Sequence, residues 1–199
     1  MVAVKLKAVY QIRITLENVQ PSIWRRVQVL SDCTLAQLHR VIQAVMAWED
    51  YHLHQFTIKR RVYSVPDPDD AHYERKVIDE RRVRLSKVVS QVGTRFDYHY
   101  DFGDNWHHDL LLEAILMPDP SIQYPVCVAG ARNSPPEDCG GHCGYARFLQ
   151  AIRDPQCEED ERRLEWIGGH FDSELFDLNR ANEALRPRVR PRKLSPRVN

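Results

Sequence analysis

Residues 95–113 read RFDYHYDFGDNWHHDLLLE, two alternating runs on either side of a Gly-Asp-Asn turn. Successive side chains of an extended chain point to opposite faces, so strict alternation dictates a strand with one buried face. Phe96, Tyr98, Tyr100 and Phe102 fall on one face, and Asp97, His99 and Asp101 on the other. On the returning run, His108 shares the parity of Trp106, Leu110 and Leu112, while His107 and Asp109 take the opposite one. The rings bury too much area to be left in water, so they mark the core side of a hairpin that doubles back at Gly103.

The rest of the chain must pack around that ribbon. Tyr10, Ile12, Ile14 and Leu16 alternate with polar residues as a first strand, Pro21 suits the corner, and IWRRVQVL returns as a second. Thr34, or Ser31 or Asp32 just before it, can cap a helix carrying Leu35, Leu38, Ile42, Val45 and Met46 at helical spacing. That phase puts His39, Arg40 and Gln43 on the wet side. LHQFTIKRRVYSV alternates as a third strand, residues 66–82 read as a surface excursion, and VRLSKVVSQVG reads as a short helix ending at Gly93.

Residues 117–141 look like one long loop, a feature uncommon in compact domains and often functional. Three helical patterns follow: YARFLQAI, EEDERRLEWI, and LNRANEALR with Asp177 as its cap. The expected fold is α+β: a β-grasp-like mixed sheet, ββαβ and then a late β-hairpin, with a C-terminal helical cap. One domain spans 1–185, with a sheet core about 8–116, a loop 117–143 and a cap 144–185. The remainder, 186–199, carries six basic residues and no acids, the composition of a disordered tail.

Composition narrows the function classes. Lys and Arg number 28 and Asp and Glu 28, so no general field draws the chain to nucleic acid or membrane, and any basic surface is local. No run approaches the roughly 18 apolar residues of a membrane span, and the start lacks a signal-peptide core, which together imply a cytoplasmic protein without a membrane partner. Five cysteines in such a chain point to thiols or metal ligands rather than a disulfide framework.

Four constellations carry chemistry. The carboxylates and imidazoles on the hairpin's polar face, Asp97, His99 and Asp101 among them, could bind a divalent metal or relay protons, with Asp104 and His108 as catalytic candidates, against a plainer reading as a solvated sheet face. His52 and His54, two apart on a strand entry, project to one side and are candidate metal ligands beside a carboxylate, the alternative being that His54 satisfies a backbone carbonyl at the helix–strand joint. The loop CVAGARNSPPEDCGGHCGY offers Cys127, Cys139, His142 and Cys143 as zinc ligands, and Glu137 and Asp138 as catalytic acids or as charges near a helix start. No C-x-x-C pair occurs, so the alternative is a Gly/Pro-shaped loop with buried cysteines. Trp24, Arg25 and Arg26, with Arg60 and Arg61, could merge into a phosphate-binding patch if their strands lie together, or could simply line solvated edges.

Several segments in order, YQIRITLENVQPSIWRRVQV, TLAQLHRVIQAVMAWEDYHLHQFTI, YDFGDNWHHDLLLE, YPVCVAGARNSPPEDCGGHCGY and FDLNRANEAL, resemble the plasmid pRiA4b ORF-3-like family. The resemblance implies a β-grasp-like α+β fold and an association with mobile elements or phage; it brings no biochemistry. Some relatives carry a resolvase label, yet recombinases need a nucleophilic hydroxyl among arginines, and Ser22 beside Arg25 and Arg26 is the sole sequence-adjacent candidate. The family pattern has a cysteine where this chain has Ser134, and it lacks the His142-Cys143 pair. Two functions follow as expectations. The first is a binding or accessory module for a protein or nucleic-acid partner. The alternative is a metal-dependent hydrolase with a His/Asp/Cys site, built from His52, His54, Asp104, His108 and the Glu137–Cys139 loop.

Overall fold

The hairpin read from residues 95–113 lies in the middle of the sheet. A computed structural model describes residues 8–67, 76–153 and 171–186. Strand β6 (Arg95–Tyr100) pairs with β7 (Trp106–Leu116), with Tyr98 opposite His108 and Tyr100 opposite Trp106. Phe96, Tyr98 and Tyr100 are buried as their alternation requires. Phe102 is not: it is 43% exposed, because Asp101 takes a left-handed φ of 54° and starts the reversal one residue early. The Asn105 amide closes that turn by donating to the Asp101 carbonyl at 2.6 Å.

Around the hairpin stand β1 (Val9–Leu16), β2 (Trp24–Leu30), β3 (His54–Ile58), β4 (Arg61–Ser64), β5 (Val77–Asp79) and β8 (Val126–Ala131). The eight strands run in the order β5-β4-β3-β6-β7-β1-β2-β8. All pairs are antiparallel except β4 with β5. The fold is therefore α+β with a large, mostly antiparallel sheet. Its chain order begins ββαβ as expected, but β7, not β3, is the inner neighbour of β1. The β-grasp-like part of the expectation rests on element order alone.

Helix α1 (Leu35–Met46) starts at Thr34, whose side chain accepts from the Gln37 amide while Gln37 reaches back to the Thr34 amide. It contributes Leu35, Leu38, Ile42 and Val45 to a core shared with Ile12, Ile14, Phe56 and Tyr98. Among the described residues the remaining α-helices are α2 (Leu85–Val88), α3 (Gly141–Arg153) and α4 (Leu178–Leu185), the last capped by Asp177 as expected. The Asn182 side chain on α4 donates to the Cys127 carbonyl at 2.9 Å and accepts from its amide at 2.8 Å. A helix side chain thereby satisfies the free edge of β8 as a neighbouring strand would.

Other readings change: the short helix expected to end at Gly93 stops at Val88, and the excursion over 66–82 contains β5. LHQFTIKRRVYSV is a hairpin rather than one strand, because Lys59 and Arg60 both adopt left-handed φ, as a two-residue turn demands. Residues 117–141 contain β8, whose small residues gave no alternation. His39 and Gln43 are buried, not wet, while Arg40 is exposed. The helical pattern at 158–167 and the tail beyond Arg186 lie outside the described residues. Among those described, no helix is long and apolar enough to cross a membrane.

Ile42 joins α1 to the sheet and has no exposed surface. Ile42→Ala should cost about 2–5 kcal/mol in a urea unfolding curve with an unchanged slope. A loss below about 1 kcal/mol would contradict the packing described here.

Candidate functional site

The acidic loop at residues 134–141 folds back onto the β6–β7 turn, and its anchors come from three directions. The Trp48 indole donates to the Pro135 carbonyl at 2.9 Å. Glu137 accepts from the Tyr100 hydroxyl and, at 2.6 Å, from the Glu49 amide. Asp104 accepts from the Gly140 amide at 3.1 Å. Gly141 completes the fit: its φ is +66°, and a Cβ there would lie 2.4 Å from the Asp104 carbonyl oxygen. Only glycine permits both that backbone and that approach.

This docking delivers Asp138 to His52. Its Oδ1 lies 3.0 Å from His52 Nε2, and Asp101 Oδ2 lies 3.7 Å from the same nitrogen. The 3.0 Å spacing is short enough for a hydrogen bond, yet the nitrogen makes none, and Asp101 at 3.7 Å is too distant for one. Asp101 is oriented by its own turn. Its Oδ1 accepts from the Gly103 and Asp104 amides at 2.9 and 3.3 Å, which leaves Oδ2 directed at His52. Asp101 and Asp138 both sit at left-handed φ, 54° and 57°, a conformation that costs energy and concentrates at functional positions.

A second cluster lies beneath. The His39 and His54 rings stack with centroids 3.5 Å apart and planes 2° apart. Hydrogen bonds fix the protons of His39. The Asp50 amide donates to Gln43 Oε1 at 3.2 Å, which turns the Gln43 amino group towards Tyr98. The Tyr98 oxygen accepts from it, so the Tyr98 hydrogen goes to His39 Nδ1 at 2.8 Å. His39 therefore carries its proton on Nε2 and donates it to Asp50 Oδ1 at 2.9 Å. Burial, with the His54 ring adjacent, pushes the His39 pKa down to about 4. His54 bonds Glu80 at 2.9 Å. His39, Asp50 and His54 hold donor atoms within 4.8 Å of one another. Stacked imidazoles nonetheless aim their lone pairs along parallel planes, and both nitrogens of His39 are engaged. The geometry is that of a polar core, not a shared ion.

Residues 8–180 match the family model described as "Plasmid pRiA4b ORF-3-like protein". The chain belongs to this family. It is 35% identical over 180 residues to the uncharacterised protein y4hQ of Sinorhizobium fredii, covering 89% of this chain and 91% of that one. It is also similar to the crystal structure of a protein of unknown function, MM3350 from Methanosarcina mazei Go1. That similarity has a TM-score of 0.78 and 37% identity over 87% of this chain and 97% of the other.

In this pRiA4b ORF-3-like protein the expected site residues separate into three groups. His52, Asp104, Glu137 and Asp138 do converge, and Asp101, from the polar face of the hairpin, joins them. Glu137 and Asp104 act as clamps there: Glu137, on the loop, accepts from Tyr100 and Glu49, and Asp104, on the turn, accepts from Gly140. His54 and His108 lie below: His108 is fully buried against Trp48 and Tyr98, and burial lowers its pKa to about 3. The zinc set does not assemble. Cys127 is buried in β8, Cys139 is half-buried with its thiol pushed up to about 12, and His142 and Cys143 are exposed at the start of α3. Among the described residues no cysteine belongs to a group of three donors.

The basic patch does not form either, because β6, β7 and β1 stand between β2 and β3. Arg25 is 2% exposed, and its guanidinium donates to the Val45, Trp24 and Ala131 carbonyls and to Ser134, each at 2.9 Å. Ser134 is thus a structural acceptor. Arg26 pairs with Glu113 and lies with Arg13 beside the Trp24 ring. Arg60 and Arg61 belong to the β3–β4 turn, on the other half of the sheet.

Two outcomes follow. His39 and His108 stay neutral in the fold far below 6.5, whereas the unfolded chain takes up protons there. Their stability contribution is complete above pH 6.5 and declines as pH falls towards 4 and 3, by about 1.4 kcal/mol per pH unit for each group. Urea midpoints measured across that window should fall less steeply for His108→Leu; an identical slope would refute the assignment. Gly141→Ala should lift the acidic loop and cost about 1–3 kcal/mol. A lowered melting temperature with a displaced Trp48 indole signal is expected in NMR spectra, and wild-type spectra would contradict it.

Proposed function

We propose that this protein is a divalent-metal-binding member of its family, holding the ion through His52, Asp101 and Asp138. One observation carries the reading: a solvent-shielded imidazole nitrogen without a hydrogen bond faces two carboxylate oxygens at 3.0 and 3.7 Å. Donors that share an ion at about 2.0–2.2 Å lie roughly 3.0–3.6 Å apart at octahedral or tetrahedral angles, so closure needs only small side-chain rotations. One imidazole and two carboxylates suit Mn²⁺, Zn²⁺ or a similar ion. The donors come from three separate segments, each fixed by backbone hydrogen bonds, which is the preorganisation a metal site requires.

Three protein donors leave coordination positions for water or substrate. The chemistry open to such a centre is metal-assisted hydrolysis of an amide or phosphoester bond, with the ion acidifying a bound water. Nucleic-acid recognition has less support. Arg25 is internal, Arg26 is paired, and Arg60 and Arg61 are distant in the sheet from both.

Titration calorimetry of untagged protein with Mn²⁺ and Zn²⁺ tests the reading. One ion per chain is expected, with affinity falling at least about tenfold in His52→Gln and in Asp101→Asn. Equal binding by wild type and both variants, or no binding at all, would refute the site.

A further inference from the structure

Three large apolar side chains are exposed on the segments that carry His52 and Asp101: Tyr51 at 74% exposure, Leu53 at 70% and Phe102 at 43%. They are held in place. The Tyr51 amide donates to the Tyr100 hydroxyl at 3.1 Å, the Leu53 carbonyl accepts from the Asp101 amide at 2.9 Å, and the Phe102 ring packs 4.8 Å from His99. Exposed apolar side chains grouped on an anchored backbone mark an interaction surface.

The charge beside them selects the partner. Glu49, Asp50, Asp101, Asp104, Glu137 and Asp138 are brought together by the contacts that dock the acidic loop. Among the described residues, the ion pairs of these six are with His39 and His52, and none is with an arginine or lysine. Arg40 and Arg180 line the groove beside Glu49 and Asp50 without pairing to either. Even a bound divalent ion leaves carboxylates in excess, so a polyanion such as RNA or DNA is repelled.

We infer that this corner docks a polypeptide segment that mixes apolar and basic side chains. The apolar groups would cover Tyr51, Leu53 and Phe102, the basic ones would meet the carboxylates, and a backbone carbonyl would reach the His52 centre. Only that last contact rests on the metal reading; docking does not.

The test is fluorescence anisotropy with a labelled peptide of alternating leucine and lysine. Controls are a serine/lysine peptide, a leucine/glutamate peptide and a single-stranded deoxyoligonucleotide. The leucine/lysine peptide should bind best, weaken with salt, and lose about tenfold in affinity to the double variant Tyr51→Ser/Leu53→Ser, whose exposed positions do not endanger folding. Binding should persist in EDTA, and the double variant should keep its Mn²⁺ affinity. Equal binding of the leucine and serine peptides, indifference to the double variant, or tighter binding of the oligonucleotide would overturn the inference. Failure to bind Mn²⁺ would overturn the metal reading alone.

Discussion

The hydroxyl of Tyr98 sits in the core on a central strand, and a buried polar group must find partners or destabilise the fold. It takes both from one face of α1, Gln43 and His39, four residues apart. Those two in turn bind Asp50, the residue that carries the chain from the helix towards β3. Helix, sheet and connecting segment are therefore fixed to one another through a single oxygen. Positive φ at Ala47 and Asp50 makes the sharp exit possible, and the histidine and glutamine hold it.

What that network positions is the stretch from Glu49 to His54. Its backbone receives the acidic loop through Glu49 and the hairpin turn through Leu53, so His52 is brought between Asp101 and Asp138. Polarity increases outward in layers. Neutral His39 and His108 belong to the core, Glu137 and Asp104 clamp the loop, and at the top buried Asp101 and half-buried His52 meet exposed Asp138. Titratable residues of similar type thus take different roles according to depth, as desolvation and hydrogen bonding dictate.

Elsewhere the fold spends its charges on itself. Arg25 closes four hydrogen bonds inside the molecule, with its pKa lowered to about 10 by burial. Arg26 meets Glu113, which sits at an irregularity of the β1–β7 pairing and also accepts from Gln11. Asn182 seals an edge strand. Clusters that look like a ligand surface when written in a line are, in space, connections between elements.

The sequence by itself determined what is periodic. The two-residue period fixed the faces of β1, β6 and β7 and placed His108 inside, and the helical period with Thr34 fixed α1 and its start. It also determined the family, because long segments match in order. It could not reveal conformations that break a period. Left-handed φ at Lys59 and Arg60 made a hairpin where alternation alone read one strand, and at Asp101 it exposed Phe102. The helical phase of His39 and Gln43 was legible, but not that Tyr98 would cover them. Only tertiary structure decided which donors meet. His52, Asp101 and Asp138 are distant along the chain, and their encounter depends on a glycine that allows a loop to lie against a turn, a contact set by shape rather than by any local pattern.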